Sequence, residues 1–325
     1  MEFLRASILQ APIVALAWLG RQGTRAITVL VCAGIAVPPI GALLRPFVTE
    51  AIVVLLSIAF LRVDMTVLRS HLKRPAIVAA ATAWTTLAVP VLFGLACLAG
   101  GIDVRSPDLF LGLMLQAVAS PMMASPALAA LMGLDATLVL VTLIAGTALM
   151  PLTAPVLIYV FVGEGLSLAP LALGLKLLAL LAGSAFIALL LRQVVSRETI
   201  ERRKAEIDGL NVLFVFVFVF AVMGTVAEQF FAAPLATIGL AVFAFLVFGA
   251  VLVLTALVFA RAGRKRALAL GLMASQRNMG LMLAATGGVL PDLAWLYFAL
   301  CQLPIYMSPQ LLEPLARRLR DPENA

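Results

Sequence analysis

The feature that most limits what this sequence can form is a series of apolar runs, each near the length of a bilayer core, separated by short polar turns. A helix needs roughly 20 apolar residues to cross that core, and about ten such segments fit here. They lie near 26–44, 49–63, 76–100, 108–132, 136–162, 168–191, 209–228, 234–260, 267–289 and 292–315. Composition agrees: 63% of residues are hydrophobic, 12% are charged and the mean hydropathy is +1.13. A soluble domain averages about 45–50% apolar and about 25% charged residues, so this chain has too little polar surface to cover itself in water. The runs do not alternate with period two, which argues against an outer-membrane barrel. The expected fold is therefore an all-α membrane protein.

Residues 1–25 precede the first of these segments. Their apolar stretch from Ala6 to Gly20 has the length of a signal-peptide core, but Arg21-Gln22-Gly23 follows instead of a small-residue cleavage site. The stretch is read as a retained interfacial helix anchored by Phe3, Leu4, Trp18 and Arg21.

Basic residues test the topology independently, because lysine and arginine resist translocation and collect in cytoplasmic loops. With a cytoplasmic N-terminus, the inside segments hold Arg5, Arg21 and Arg25, then Arg62, Arg69, Lys73 and Arg74. Further on they hold Arg192, Arg197, Arg202, Arg203 and Lys204, then Arg261, Arg264, Lys265 and Arg266, and finally Arg317, Arg318 and Arg320. The outside loops hold only Arg45 and Arg105. Omitting one span would destroy this segregation. Both termini, including the tail 317–325, are thus expected in the cytoplasm, with the chain in the cytoplasmic (inner) membrane. The net charge of +7 follows from the same rule, so no nucleic-acid partner is implied.

Enzymatic chemistry is poorly supplied. The single histidine, His71, lies in a basic loop, and Asp64, Asp103, Asp108, Asp135, Glu164, Glu228 and Asp292 all fall at or near segment ends. Paired intramembrane aspartates, a zinc-binding histidine pair and a serine with a histidine base are all missing. Cys32, Cys97 and Cys301 lie in separate apolar runs, with neither a disulfide framework nor a metal spacing, and are expected as buried packing residues. No cofactor and no enzyme activity are expected.

Two basic residues remain at membrane depth. Lys176 lies close enough to a segment end to snorkel outward. Arg277 sits near mid-membrane in Met273-Ala274-Ser275-Gln276-Arg277-Asn278-Met279-Gly280. A charge there costs at least roughly 2.5–3.5 kcal/mol unless it meets a partner or a cavity. With no intramembrane carboxylate opposite, Arg277 invites an anion from outside the protein. The matching feature in the first half is Ala119-Ser120-Pro121-Met122-Met123-Ala124-Ser125-Pro126, where Pro121 and Pro126 are expected to break the helix. Each interruption falls in the fourth segment of its half, the pattern of a transporter site between inverted repeats. The halves are 26–163 and 164–316, and an odd number of spans per half inverts the second. Substrate-binding candidates are Ser120, Ser125, Ser275, Gln276, Arg277 and Asn278.

At these residues the chain resembles the bile acid:sodium symporter family over nearly its whole length after Arg25. Leu72-Lys73-Arg74-Pro75 is similar to that family's polar hairpin, and Pro90 to its third-span proline. The stretch from Ser120-Pro121 to Ser125 resembles its Cys-Pro-Gly-Gly-Thr-Ala-Ser-Asn, with one residue fewer. Pro151 and Pro155 match its Pro-x-x-x-Pro, and Asn278 and Gly280 match the end of its Glu-x-Gly-x-Gln-Asn-x-Gly motif. The resemblance implies ten spans in two inverted five-helix repeats, a panel domain (spans 1, 2, 6 and 7) and a core domain (spans 3–5 and 8–10), with spans 4 and 9 broken and crossing.

The departures fall on the ion sites. Where the family's glutamate and glutamine help hold two sodium ions, this chain has Met273 and Arg277. The asparagine after its serine is Pro126 here, its fifth-span serine and threonine are Val139 and Leu143, and its third-span glutamine is Thr85, which joins the binding candidates. Sodium prefers several oxygen ligands, which methionine, valine and leucine do not supply. The resemblance thus implies an alternating-access carrier of a small organic anion, without sodium coupling. A channel-like anion conduit and a non-transporting substrate sensor are the alternatives, and monomer and homodimer both stay open.

The charge map yields a direct test. A cysteine placed at Arg45 or Arg105 should react with an impermeant maleimide in sealed cells, and one at Arg203 should not. Labelling at Arg203 would overturn the map.

Overall fold

The computed structural model describes residues 14–20, 30–62, 75–163 and 169–320. The reading of residues 1–25 therefore lies largely outside the described residues, as do His71, Leu72-Lys73-Arg74 and residues 321–325 of the tail. The described chain is helical throughout, with no sheet, and its one β-type pairing joins two single residues. Six helical runs of 24 to 29 residues are long and apolar enough to cross a membrane. Helices satisfy their own backbone groups, which lipid cannot do. The outward faces match that solvent: Leu152, Val160, Leu171, Leu235 and Leu257 are all exposed. The chain is an all-α membrane protein.

Its residues form two compact units, each assembled from two separate stretches: residues 1–63 with 180–232, and residues 64–179 with 233–325. In the first unit, close packing is permitted by glycines. Gly20 lies against Ala205 and Gly209, whereas Gly34 and Gly41 both lie against the stretch from Phe220 to Gly224. The chain therefore advances along the helix Lys204–Met223 and then stops advancing. It turns over at Val37, which leaves helical geometry, and the run Pro38–Leu61 then continues through a 3-10 turn at Arg45–Phe47. It returns antiparallel, since Arg62 at the end of Val48–Leu61 pairs with Asp208. Arg192 Nη2 donates to the carbonyls of Leu61 at 2.8 Å and Phe60 at 3.3 Å, capping the same helix end with a positive charge. Residues 14–20, within the stretch expected to be interfacial, are helical and pack on the start of Lys204–Met223.

The second unit holds Pro75–Ala83 and Val89–Ala99 joined by a π turn at Trp84–Ala88, and the long helices Ala136–Val162 and Pro234–Val258. It also holds Asp292–Arg320 and two interrupted pairs: Pro107–Val118 with Ser125–Leu131, and Arg264–Ser275 with Met279–Ala285. Pro151 and Pro155 lie inside Ala136–Val162 without ending it. Asp135 caps that helix by accepting from Leu138 N at 3.0 Å, and its other oxygen accepts from Arg266 Nε at 3.3 Å. Lys176 is exposed, and a Cβ added to Gly287 would stand 4.0 Å from its Nζ. The ammonium thus lies beside the left-handed turn that follows Met279–Ala285. Cys97 and Cys301 are buried, but Cys32 is exposed. The expectation that all three are buried is corrected there: an apolar run in lipid has an outward face, and Cys32 lies on it.

Gly41 makes the packing testable. A Cβ there would meet the Phe220 carbonyl and would stand 2.8 Å from Gly224 Cα, so only backbone movement relieves it. Gly41→Val should destabilise the protein by about 1–3 kcal/mol, read as a lower melting temperature in detergent. Gly183→Ala, with nothing within 4 Å, should leave it unchanged.

Candidate functional site

The two interrupted pairs meet within the second unit. Pro107–Val118 ends where Ala119 turns extended at ψ 144°, and Arg264–Ser275 ends where Gln276 does the same at ψ 98°. The two unwound stretches pair antiparallel through Pro121 and Arg277. Met122 N donates to the Gln276 carbonyl at 2.8 Å, and Asn278 N donates to the Ser120 carbonyl at 2.7 Å. Each break thus satisfies backbone groups of the other, which answers the cost of unwinding a helix in a buried interior. Pro121 stands in the unwound stretch as expected. Pro126 does not: it lies in the first turn of Ser125–Leu131, where its missing N–H costs nothing, so it starts a helix instead of breaking one.

Two carbonyls escape this pairing. In the π turn, Val89 N donates to Trp84 O, so the next carbonyl, Thr85 O, would need the N–H of residue 90. Residue 90 is proline and has none. Ala119 O, at the end of its half-helix, has no further helical turn to serve it. Arg277 supplies both: Nη1 donates to Ala119 O at 2.9 Å and to Thr85 O at 3.1 Å. Both 12-residue half-helices direct their negative carboxyl ends at this point, so a cation is the group that fits.

The rest of the guanidinium is unused. Arg277 is 4% exposed, its Nη2 is sealed without a partner, and its Nε makes no hydrogen bond among the described residues. Ser120 Oγ is likewise buried without a partner, as are the hydroxyls of Thr82, Thr142 and Thr147. A Cβ on Gly146 would stand 3.8 Å from Pro121 and 4.0 Å from Thr85 Oγ1, so the face of Ala136–Val162 that carries Thr142, one turn earlier, looks at the crossing.

The other expected residues are present but spent within the protein. Ser125 Oγ donates to Gln276 Oε1 at 2.9 Å, and Gln276 Nε2 donates to Ser308 Oγ at 2.8 Å. Asn278 Oδ1 accepts from Leu281 N at 3.2 Å and caps Met279–Ala285. Ser275 Oγ bonds to Leu272 O, and Thr85 Oγ1 to Ala81 O and Thr82 O. Met273, Val139 and Leu143 pack together in one apolar cluster with Leu128, Ala129 and Leu272.

Sequence reasoning missed a second polar group. Tyr297 Oη donates to Gln116 Oε1 at 2.5 Å, and Cys301 Sγ approaches the same oxygen at 3.6 Å. Gln116, a lone amide inside an apolar run, was the available signal. Ser308 was missed as well, being 32 residues from its partner Gln276.

Ser125→Ala leaves the side-chain Oε1 of Gln276 buried without its donor and should cost about 1–3 kcal/mol. Ser275→Ala removes only a bond to its own helix and should cost less. Equal melting temperatures for the two variants would contradict this arrangement. A comparison with protein-family models and with characterised proteins finds no match to this chain.

Proposed function

We propose that this chain is a secondary carrier that moves a small organic anion across the cytoplasmic membrane by alternating access. The observation that carries the reading is the side-on edge of Arg277, Nε with Nη2, which is left without a protein acceptor where two broken helices cross. That edge is the fork to which a carboxylate binds through two parallel bonds. The other side of the guanidinium, Nη1, holds two protein carbonyls, so the charge is fixed in place before any anion arrives.

The ten-span, inverted-repeat arrangement is part of the proposal. Support comes from the interruption of the fourth segment in each half and from the grouping of residues 1–63 with 180–232, close to the panel of spans 1, 2, 6 and 7. The contact between Asp135 and Arg266 joins two loops that the charge map assigns to the cytoplasm. Sodium coupling is not proposed: Met273, Val139 and Leu143 fill the family's ligand positions with packed apolar side chains, and Arg277 brings a permanent cation. The sealed Nη2 favours one closed site over a continuous wet conduit.

The test is uptake of small carboxylates into vesicles containing the purified protein, with sodium or potassium salts. Uptake should be the same in both, and a steep, saturable sodium dependence would reject the uncoupled reading. Arg277→Gln should weaken binding roughly ten- to a hundredfold, since a charge-assisted pair contributes about 1.5–3 kcal/mol. Arg277→Lys keeps the charge without the planar fork and should fall between the two. Unchanged affinity in a folded Arg277→Gln protein would make the residue a structural clamp alone.

A further inference from the structure

One N–H decides whether the helical run Pro75–Ala99 has a carbonyl to offer Arg277. Val89 N donates to Trp84 O at the wide π spacing, which leaves Thr85 O to Arg277 Nη1 at 3.1 Å. In ordinary α winding the same N–H would donate to Thr85 O and take that carbonyl away. The wide turn holds one residue more than an α turn. Closing it would rotate the residues at its start by about 100° relative to those beyond its end. A side chain fixed on a neighbouring helix at the start of the turn therefore holds the wide form open.

Trp84 is that side chain. Its Nε1 donates to Thr255 Oγ1 at 2.9 Å, and its ring meets Phe259 edge-on with centroids 6.4 Å apart. The ring also packs against the cluster of Val89, Val251 and Ala274. Thr255 is fully buried near the end of Pro234–Val258, and Ala274 stands three residues before Arg277. The two helices that receive the indole are in close contact, since a Cβ on Gly271 would stand 2.6 Å from Leu252 O.

The geometry points to Trp84 as a positioning residue for Arg277: the indole, anchored on Thr255, keeps the turn at Trp84–Ala88 wide, so that the Thr85 carbonyl stays available to the guanidinium. The inference rests on Arg277 as the anion-binding group of the proposed carrier, and it names the residue that aims that group. Successive residues divide the task. Trp84 grips the neighbouring helix through its side chain, and Thr85 presents its backbone oxygen to Nη1.

The test reads Trp84 directly. In the full-length protein carrying Trp18→Phe and Trp295→Phe, Trp84 is the sole tryptophan. Thr255→Val keeps the side-chain volume but removes the acceptor. It should shift the tryptophan emission and lower the melting temperature in detergent by about 2–4 °C. Thr255→Ser keeps a hydroxyl and should restore both. The decisive measurement pairs Thr255→Val with Arg277→Gln, because two unconnected structural roles would simply add. Thr255→Val already releases Thr85 O from the guanidinium. Arg277→Gln should then lower the melting temperature by roughly half as much as it does alone, since one of its two carbonyl bonds is already gone. It should also cause no further emission shift. Arg277→Lys replaces Arg277→Gln if that variant does not fold. Additive melting shifts, or a Thr255→Val protein with unchanged emission, overturn the inference. Neither readout uses transport. Coupled shifts without carboxylate uptake would keep the positioning role and reject the carrier, and uptake with additive shifts would do the reverse.

Discussion

Two backbone carbonyls that no helix can serve stand together in the second unit, and one nitrogen of Arg277 serves both. Both vacancies trace to proline. Pro90 lacks the N–H that a π turn would direct at Thr85 O, and Pro121 prevents the helix before it from continuing past Ala119. An unpaired carbonyl in an apolar interior costs about 1–3 kcal/mol, so two would outweigh most single packing contacts. The guanidinium therefore ties the helical run Pro75–Ala99 to the crossing, and the crossing keeps its shape because a cation lies under the carboxyl ends of two half-helices. The proposed chemistry uses what is left over from this structural task, one unspent edge of the same group.

Much of this was legible in the sequence because it depends on residues whose behaviour is nearly independent of context. Proline cannot donate, arginine cannot shed its charge, and roughly 20 apolar residues fit a bilayer. Those rules located both interruptions and placed Arg277 at depth without an acidic partner. What they could not give is which atoms meet. Thr85 was expected to act through its side chain, yet its backbone carbonyl touches Arg277 while its hydroxyl bonds within its own helix. Pro126 was read as a breaker, but whether a proline ends a helix or begins one depends on which residue before it turns extended, and that is set by pairing with residues 276–278, over 150 positions away. Ser125 and Gln276 were expected to face substrate. They pair with each other because burial leaves no water to satisfy either one.

Apolar packing also carries information here. Met273, Val139 and Leu143 come from two different helices and stand in the same cluster, where each fills volume next to the others. A side chain changed alone to an oxygen ligand would enter a cluster of apolar side chains. The apolar character of these positions is thus shared, and building an oxygen ligand set there would take several substitutions at once.

The pairing of Ser120 with Asn278 and of Met122 with Gln276 has a mechanical consequence. Its two hydrogen bonds lock the broken ends of one helix to the broken ends of another, as in a lap joint between two cut beams. Neither helix can slide along its own axis without shearing bonds that the other also needs. The joint therefore couples the four half-helices, so that a movement of any one is passed to the other three.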